Sequence, residues 1–281
     1  MIFKDFIFSF KNIHISFLEK RKIVKLFKVG ISILYKFFIL DILFYNFFYK
    51  KSLDQNTAEN KELFKKDLNF LFTHFNSLKQ EHDYSDFYTK KLEFLKEKEI
   101  DVLEIGTAKG DGLASFYYYF PKSNLIGLDN NPFRLRYKSN RIRNIFVDVS
   151  SRQILKNLTN HLNLKFDLII EDSSHKLIDQ ILCFVENFKN LKNGGIYVVE
   201  DLNFPDIHEI YNPTKEEINL KNILSKIASG EEVISKFIEK EEMSYIKENV
   251  QSIDIYKSKN KNNYLILGLC DYSEIAFITK K

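Results

Sequence analysis

The sequence predicts an α/β protein: an open, mostly parallel sheet with helices between its strands, a closing antiparallel hairpin, and a helical extension at the N-terminus. Three observations carry this. Short apolar runs at residues 100–105, 124–128, 144–147, 166–170 and 196–199 alternate with helical segments at 112–120, 132–137, 151–162 and 177–191. Buried runs alternating with helices are the pattern of βαβ units and a parallel sheet. The glycines are unevenly placed: residues 1–100 hold only Gly30 and no proline, whereas Gly106, Gly110 and Gly112 crowd together and Gly194 adjoins Gly195. Backbone-dictated turns therefore begin where the strands begin. Finally, helical stretches at 215–229 and 231–248 are followed by apolar runs at 252–257 and 263–269 around a polar turn at 258–262, which reads as a hairpin.

Composition narrows the class. Hydrophobic residues make up 44% of the 281 and charged residues 28%, the balance of a folded chain. Two cysteines, Cys183 and Cys270, are too few for a disulfide scaffold or a zinc cluster and fit a reducing, cytoplasmic setting. Forty-two basic residues against 38 acidic leave a net charge of +4, too weak to argue for a nucleic-acid partner. The 27 Phe, 15 Tyr and absent Trp, with abundant Lys, Asn and Ile, read as genomic base bias before they read as function.

Three regions follow: an apolar and basic helical segment at 1–58, a helical lead-in at 59–99 with helices near 60–78 and 86–98, and the sheet domain at 100–281. Phe3, Phe6, Ile7, Phe10 and Phe17 form a rough helical stripe, followed by the basic patch Lys20, Arg21, Lys22, Lys25 and Lys28. The run 29–49 is long enough to span a bilayer but contains Lys36, Asp41 and Asn46. Its apolar side chains favour insertion by roughly 4–8 kcal/mol, and Lys36 with Asp41 oppose it by about 5–7. Three readings stand open for residues 1–50: a buried helix or homo-oligomer contact, attachment to the inner membrane face, and a span.

Ligands of open parallel sheets bind beyond the carboxyl ends of the strands. The first strand runs into Glu104-Ile-Gly106-Thr107-Ala-Lys-Gly110-Asp-Gly112. Its glycines permit a sharp turn and close backbone approach to a ligand, with a helix N-terminus beyond. The spacing G-x-x-x-G-x-G differs from the G-x-G-x-x-G of dinucleotide binders. The second strand ends at Asp129, a carboxylate able to accept two ribose hydroxyls or to cap a helix after Asn131-Pro132. The third ends Asp148-Val-Ser150, where Asp148 or its neighbours can meet an adenine amino group and Ser150 can cap the next helix.

The fourth strand ends Glu171-Asp172-Ser-Ser-His175 and the fifth Glu200-Asp201. Adjacent parallel strands in register bring Asp172 near Glu200 and Asp201, and clustered carboxylates call for a neutralising cation. Oxygen ligands without cysteine favour Mg²⁺, Mn²⁺ or Ca²⁺ over zinc. His175 is placed to act as general base. The plain alternatives are helix capping by Asp172 or Ser173 and an exposed Glu200-Asp201 pair.

The glycine turn resembles the first motif of class I S-adenosylmethionine-dependent methyltransferases. Asp172-Ser-Ser-His175 and Gly194-Gly-Ile-Tyr-Val-Val-Glu200-Asp201-Leu resemble the D-G-S-H and G-G-x-Y-x-x-E-D-L motifs of the macrocin and mycinamicin sugar O-methyltransferases, which have cephalosporin hydroxylase-like relatives. The resemblance runs from about Glu81 to Leu269 and takes in His82-Asp-Tyr84 and Ser252-Ile-Asp-Ile-Tyr256. It implies a Rossmann-like class I methyltransferase sheet and S-adenosylmethionine along Glu104, Gly106, Thr107, Gly110, Asp129, Asp148 and Asp172. It further implies Mg²⁺ or Mn²⁺ on Asp172, Glu200 and Asp201, His175 as base, and a small-molecule or lipid-linked sugar as acceptor. Two positions depart from the family: Ser173 stands where glycine is usual, and Ser77-Leu-Lys79-Gln80 stands where an acidic-Lys-Gly entry is usual, on what the resemblance makes a substrate-side lid. A phenolic or catechol acceptor and a non-methylating, membrane-associated relative are the rival readings.

Overall fold

A computed structural model describes residues 4, 5, 7–9, 11, 12, 50–131, 134–259 and 272–281. Seven strands form one sheet: β1 (Asp101–Ile105), β2 (Asn124–Asp129), β3 (Ile142–Phe146), β4 (Phe166–Glu171), β5 (Leu191–Val199), β6 (Val250–Lys259) and β7 (Tyr272–Lys280). Their order across the sheet is β3-β2-β1-β4-β5-β7-β6. The first five are parallel, and β7 runs antiparallel between β5 and β6. The chain reverses its direction of winding between β1 and β4, the switch point where such sheets open a crevice.

Register brings the strand ends to one level. Asp129 pairs with Phe146, Ile105 with both Leu128 and Glu171, and Glu171 with Val199. Because side chains alternate along a strand, each strand feeds both faces of the sheet. Val102, Leu125, Leu168, Ile170 and Val198 face one core, packed by α1 (Ala58–Leu63), α2 (Leu68–His74), α4 (Ser85–Leu92) and α5 (Asp111–Tyr119). Leu103, Ile105, Ile126, Leu128 and Val199 face the other, under α6 (Arg152–Leu162), α7 (Leu177–Phe188), α9 (Leu220–Ser229) and α10 (Lys240–Asn249). The short α3 (Leu78–Glu81) and α8 (Phe204–Ile207) lie near the strand ends. Residues 4, 5, 7–9, 11 and 12 are helical and dock beside β3: Arg143 donates to both carboxylate oxygens of Asp5 at 2.7 and 2.8 Å, and Phe146 N donates to Ser9 Oγ at 3.0 Å.

Several elements differ from the sequence reading. The expected helix 60–78 is two helices, since Asp67 breaks the chain and caps α2 by accepting from Phe70 N at 2.7 Å. The helix expected at 132–137 is not seen at 134–137. That stretch straps the glycine turn instead: Arg136 N donates to Lys109 O at 2.9 Å, and Tyr137–Lys138 pairs with Lys51–Ser52. Ser151, not Ser150, caps α6. The strand that closes the hairpin is Tyr272–Lys280; the expected 263–269 lies outside the described residues, as do 20–28 and 29–49. Among the described residues no helix is long and apolar enough to cross a membrane.

Candidate active site

The crevice between β1 and β4 is closed by backbone against backbone. Gly106 adopts φ 92°, and a Cβ there would lie 2.0 Å from the Asp172 carbonyl oxygen and 2.5 Å from Ser173 Cα. Only glycine fits, so the turn after β1 rests directly on the end of β4. Gly106 N and Thr107 N donate to Leu128 O at 2.8 and 3.1 Å, and Ala108 N donates to Asp129 Oδ2 at 2.8 Å, tying the same turn to β2. Asp129 Oδ1 accepts from Asn131 N at 2.7 Å. Gly110 is the left-handed N-cap of α5. Asp148, at the end of β3, is buried and folds back on Ser150, accepting from its Oγ at 2.6 Å.

Alternation continues past the strand ends and sorts the acids. Glu104, Asp172 and Glu200 stay in phase with Val102, Ile170 and Val198, so all three point to the α4–α5 side. There they converge on the ammonium of Lys79, which donates to Asp172 Oδ2 at 2.7 Å and Glu200 Oε1 at 2.8 Å and stands 3.2 Å from Glu104 Oε1. Burial opposes the Lys79 charge, yet Asp172, Glu200 and Glu104 hold it well above the ordinary lysine range. Burial pushes Glu104 up to about 7 even with Lys79 beside it, and Glu104 Oε2 is buried without a hydrogen-bond partner.

A second convergence adjoins the first. Asp172, His175 and Asp201 offer ligand atoms within 4.8 Å of one another. His175 Nε2 lies 3.8 Å from Asp172 Oδ1 and 3.7 Å from Asp201 Oδ2. His175 and Asp201 both take left-handed backbone conformations, φ 55° and 51°, which turn their side chains toward this point. The His175 ring packs edge-on to Phe204 with centroids 5.1 Å apart, and its Nδ1 is buried without a partner. Tyr84 Oη donates to Asp201 Oδ1 at 2.7 Å, and Tyr88 Oη donates to Glu200 Oε1. Burial would raise Asp201, but His82, His175 and the Tyr84 hydrogen bond hold it below the ordinary carboxylate range.

A family model described as a methyltransferase domain matches residues 96–262, more than half of the chain. The chain belongs to this methyltransferase-domain family. Curated relatives include the 8-demethyl-8-alpha-L-rhamnosyl tetracenomycin-C 2'-O-methyltransferase of Streptomyces olivaceus, 28% identical over 128 residues (43% of this chain, 33% of the relative). The mycinamicin VI 2''-O-methyltransferase of Micromonospora griseorubida is 27% identical over 132 residues (43% and 32%). The demethylmacrocin O-methyltransferase of Streptomyces fradiae is 27% identical over 128 residues (43% and 32%). The matched region spans about a third of the length of these curated relatives. Among solved structures, the MycE methyltransferase of the mycinamycin biosynthetic pathway, in complex with Mg and SAH, superposes with a TM-score of 0.58 at 20% identity, covering 76% of this chain and 55% of that one. Its complex with Mg, SAH and mycinamycin VI gives 0.59 at 21%, covering 76% and 54%. The likeness establishes the fold, a class I methyltransferase sheet.

Within that domain the structure gathers most of the residues singled out by sequence. Glu104, Gly106, Thr107, Gly110, Asp129, Asp148 and Asp172 line consecutive strand ends. Asp172, His175 and Asp201 come together, and Asp172 also meets Glu200 through Lys79. The Glu200 carboxylate turns to Lys79 and Tyr88 and is not part of the three-residue convergence. The helix cap expected of Asp129 is absent, because residues 134–137 are not helical and both its oxygens hold backbone amides. In the Ser77–Gln80 segment Lys79 is 2% exposed and sits in the acid cluster, while Leu78 is 48% exposed. Tyr88 and the roles of Lys79 and Tyr84 escaped sequence reasoning. The i, i+4 spacing of Tyr84 and Tyr88 was the one local signal, since it puts two hydroxyls on one helix face.

Proposed function

We propose that the chain is an S-adenosylmethionine-dependent O-methyltransferase, assisted by a divalent cation, that methylates a sugar hydroxyl of a glycosylated small molecule or lipid-linked glycan. The observation that carries this reading is the junction at Gly106. There a turn bearing an orphaned buried acceptor, Glu104 Oε2, abuts an oxygen-rich convergence of Asp172, His175 and Asp201. A carboxylate oxygen lacking a donor suits a ligand that brings an ammonium group, as the methionine end of the cofactor does. Two carboxylates with no sulfur ligand suit Mg²⁺ or Mn²⁺, and His175 Nε2 beside them stays free to take a proton. The sugar acceptor rests on the likeness to the rhamnosyl tetracenomycin-C 2'-O-methyltransferase and the mycinamicin VI 2''-O-methyltransferase.

In this reading the Glu104–Gly110 turn holds the methionine end, Asp129 the ribose and Asp148 the adenine side. Asp172 and Asp201 hold the cation, with Glu200 behind them on Lys79. When bound, the cation supplies Lewis acidity to the acceptor hydroxyl, and the cofactor supplies an electrophilic methyl group. His175 receives the hydroxyl proton at Nε2, held in place by Phe204 and by its own left-handed backbone. Tyr84 fixes Asp201, so that the carboxylate facing His175 does not swing away. Positioning both reactants against one another contributes roughly 7–11 kcal/mol to such reactions.

The test is titration calorimetry of S-adenosylmethionine and Mg²⁺ on wild type and Asp172→Ala, followed by an acceptor screen of nucleotide- and lipid-linked sugars and macrolide glycosides. Cofactor binding to wild type, with Mg²⁺ binding lost in Asp172→Ala, supports the reading. Absence of cofactor binding sinks it. With an acceptor in hand, His175→Ala is expected to lower kcat about 10²–10⁴-fold with cofactor affinity little changed; full activity would remove His175 from the chemistry.

A further inference from the structure

Lys79 sits where the cofactor turn and the cation ligands meet, and its surroundings are built to keep it there. Its side chain is 3% exposed. Ser77 caps the four-residue α3 and accepts from Lys79 N at 3.4 Å, which starts the helix one residue before the lysine. Space for the side chain comes from Gly112: a Cβ there would lie 2.6 Å from Lys79 Cε and 2.6 Å from Glu104 Oε1. With Asp172 at 2.7 Å, Glu200 at 2.8 Å and Glu104 at 3.2 Å, the ammonium has one carboxylate for each of its three protons.

This arrangement divides Asp172 between two neighbours. Its Oδ2 is spent on Lys79, while Oδ1 faces His175 and the side of Asp201. A divalent ion sharing Asp172 would lie beside a fixed positive charge in a buried setting, where like charges repel far more strongly than in water. The same ammonium reaches Glu104 on the cofactor turn, so the charge state of one subsite is felt in the other.

We propose that Lys79 is a resident cation of this site. It occupies the Glu104–Asp172–Glu200 corner, confines the divalent ion to the Asp172–Asp201 side next to His175, and holds that ion's affinity down. Lys79 is a positioning residue; it stands on the cation-assisted reading above. A purely structural lysine and a resident cation make opposite predictions. If Lys79 only organised the carboxylates, its loss would weaken divalent binding. If it competes with the ion, its loss strengthens it.

The experiment is titration of the full chain with Mn²⁺ at pH 8, read by the free-Mn²⁺ electron paramagnetic resonance signal, on wild type, Lys79→Met and Lys79→Gln. Glutamine keeps two N–H donors while dropping the charge, so it decides the matter if the methionine variant does not fold. Binding at least tenfold tighter in the charge-free variants, about 1.4 kcal/mol, is the expected result; binding that appears only in the variants is the same result in stronger form. Wild-type binding that is unchanged or weakened in the variants overturns this inference and leaves the cation-assisted reading standing. Absence of Mn²⁺ binding in all three proteins overturns both.

Discussion

Gly106 shows how a single residue joins two subsites. Its missing side chain lets the backbone after β1 press on Asp172, and its left-handed φ aims the following amides at Leu128. Gly106→Ala would combine a backbone overlap at 2.0 Å with left-handed strain that by itself costs roughly 1–3 kcal/mol. The variant is expected to lose more than that in urea unfolding and to lose S-adenosylhomocysteine binding with it; near-wild-type values for both would show that the turn does not rest on β4. This position was legible in sequence because a glycine after an apolar strand run has few other uses. The buried role of Lys79 was not. The resemblance placed it on a substrate-side lid, and its contact with Asp172 across 93 positions of chain is encoded by no pattern within α3.

At the scale of elements, the helical residues 4, 5, 7–9, 11 and 12 are held to β3 and α6 by one charged cluster. Asp5 is 4% exposed, accepts from Arg143, and lies 2.8 Å from His161 Nε2, while Phe8 stacks on the His161 ring at 4.2 Å. Burial would raise the Asp5 carboxyl, but the hydrogen bonds of Arg143 and His161 hold it below its ordinary 3.8. A carboxyl lowered in the fold stabilises above its unfolded value and loses that contribution as pH falls through the folded one. Asp5→Asn is therefore expected to cost about 1.5–3 kcal/mol at pH 7, with the difference in Tm from wild type shrinking as pH drops below about 4. A difference that does not change with pH would remove the ionised Asp5 from the docking.

The last strand shows where sequence patterning fails. β7 lies between β5 and β6, so Ile275, Ala276, Phe277 and Ile278 are all buried and alternation is erased. The short run ending in Lys280-Lys281 gives little to separate a central strand from a tail.

For the whole molecule, the strand ends of β3, β2, β1, β4 and β5 form one floor on which a ligand would touch five separate segments. Such a ligand binds the native state alone and stabilises it by mass action. S-adenosylhomocysteine at a hundredfold excess over its Kd is expected to add about 2.7 kcal/mol, seen as a Tm higher by several degrees. A Tm that stays constant with ligand concentration would argue that the floor is not a cofactor site.

The order of elements, the parallel core of the sheet, the glycine turn and the acids at successive strand ends were determined by the sequence alone. They follow from periodicity and from the rule that parallel strands present their carboxyl ends together, both of which are local or depend on neighbouring elements. Tertiary structure alone decided which acids gather on Lys79 and which face His175, that Glu200 also meets Tyr88, that residues 134–138 strap the glycine turn, and that Tyr272–Lys280 enters the sheet. Each depends on groups far apart in the chain competing for the same buried space and charge, and no local pattern encodes the outcome of that competition.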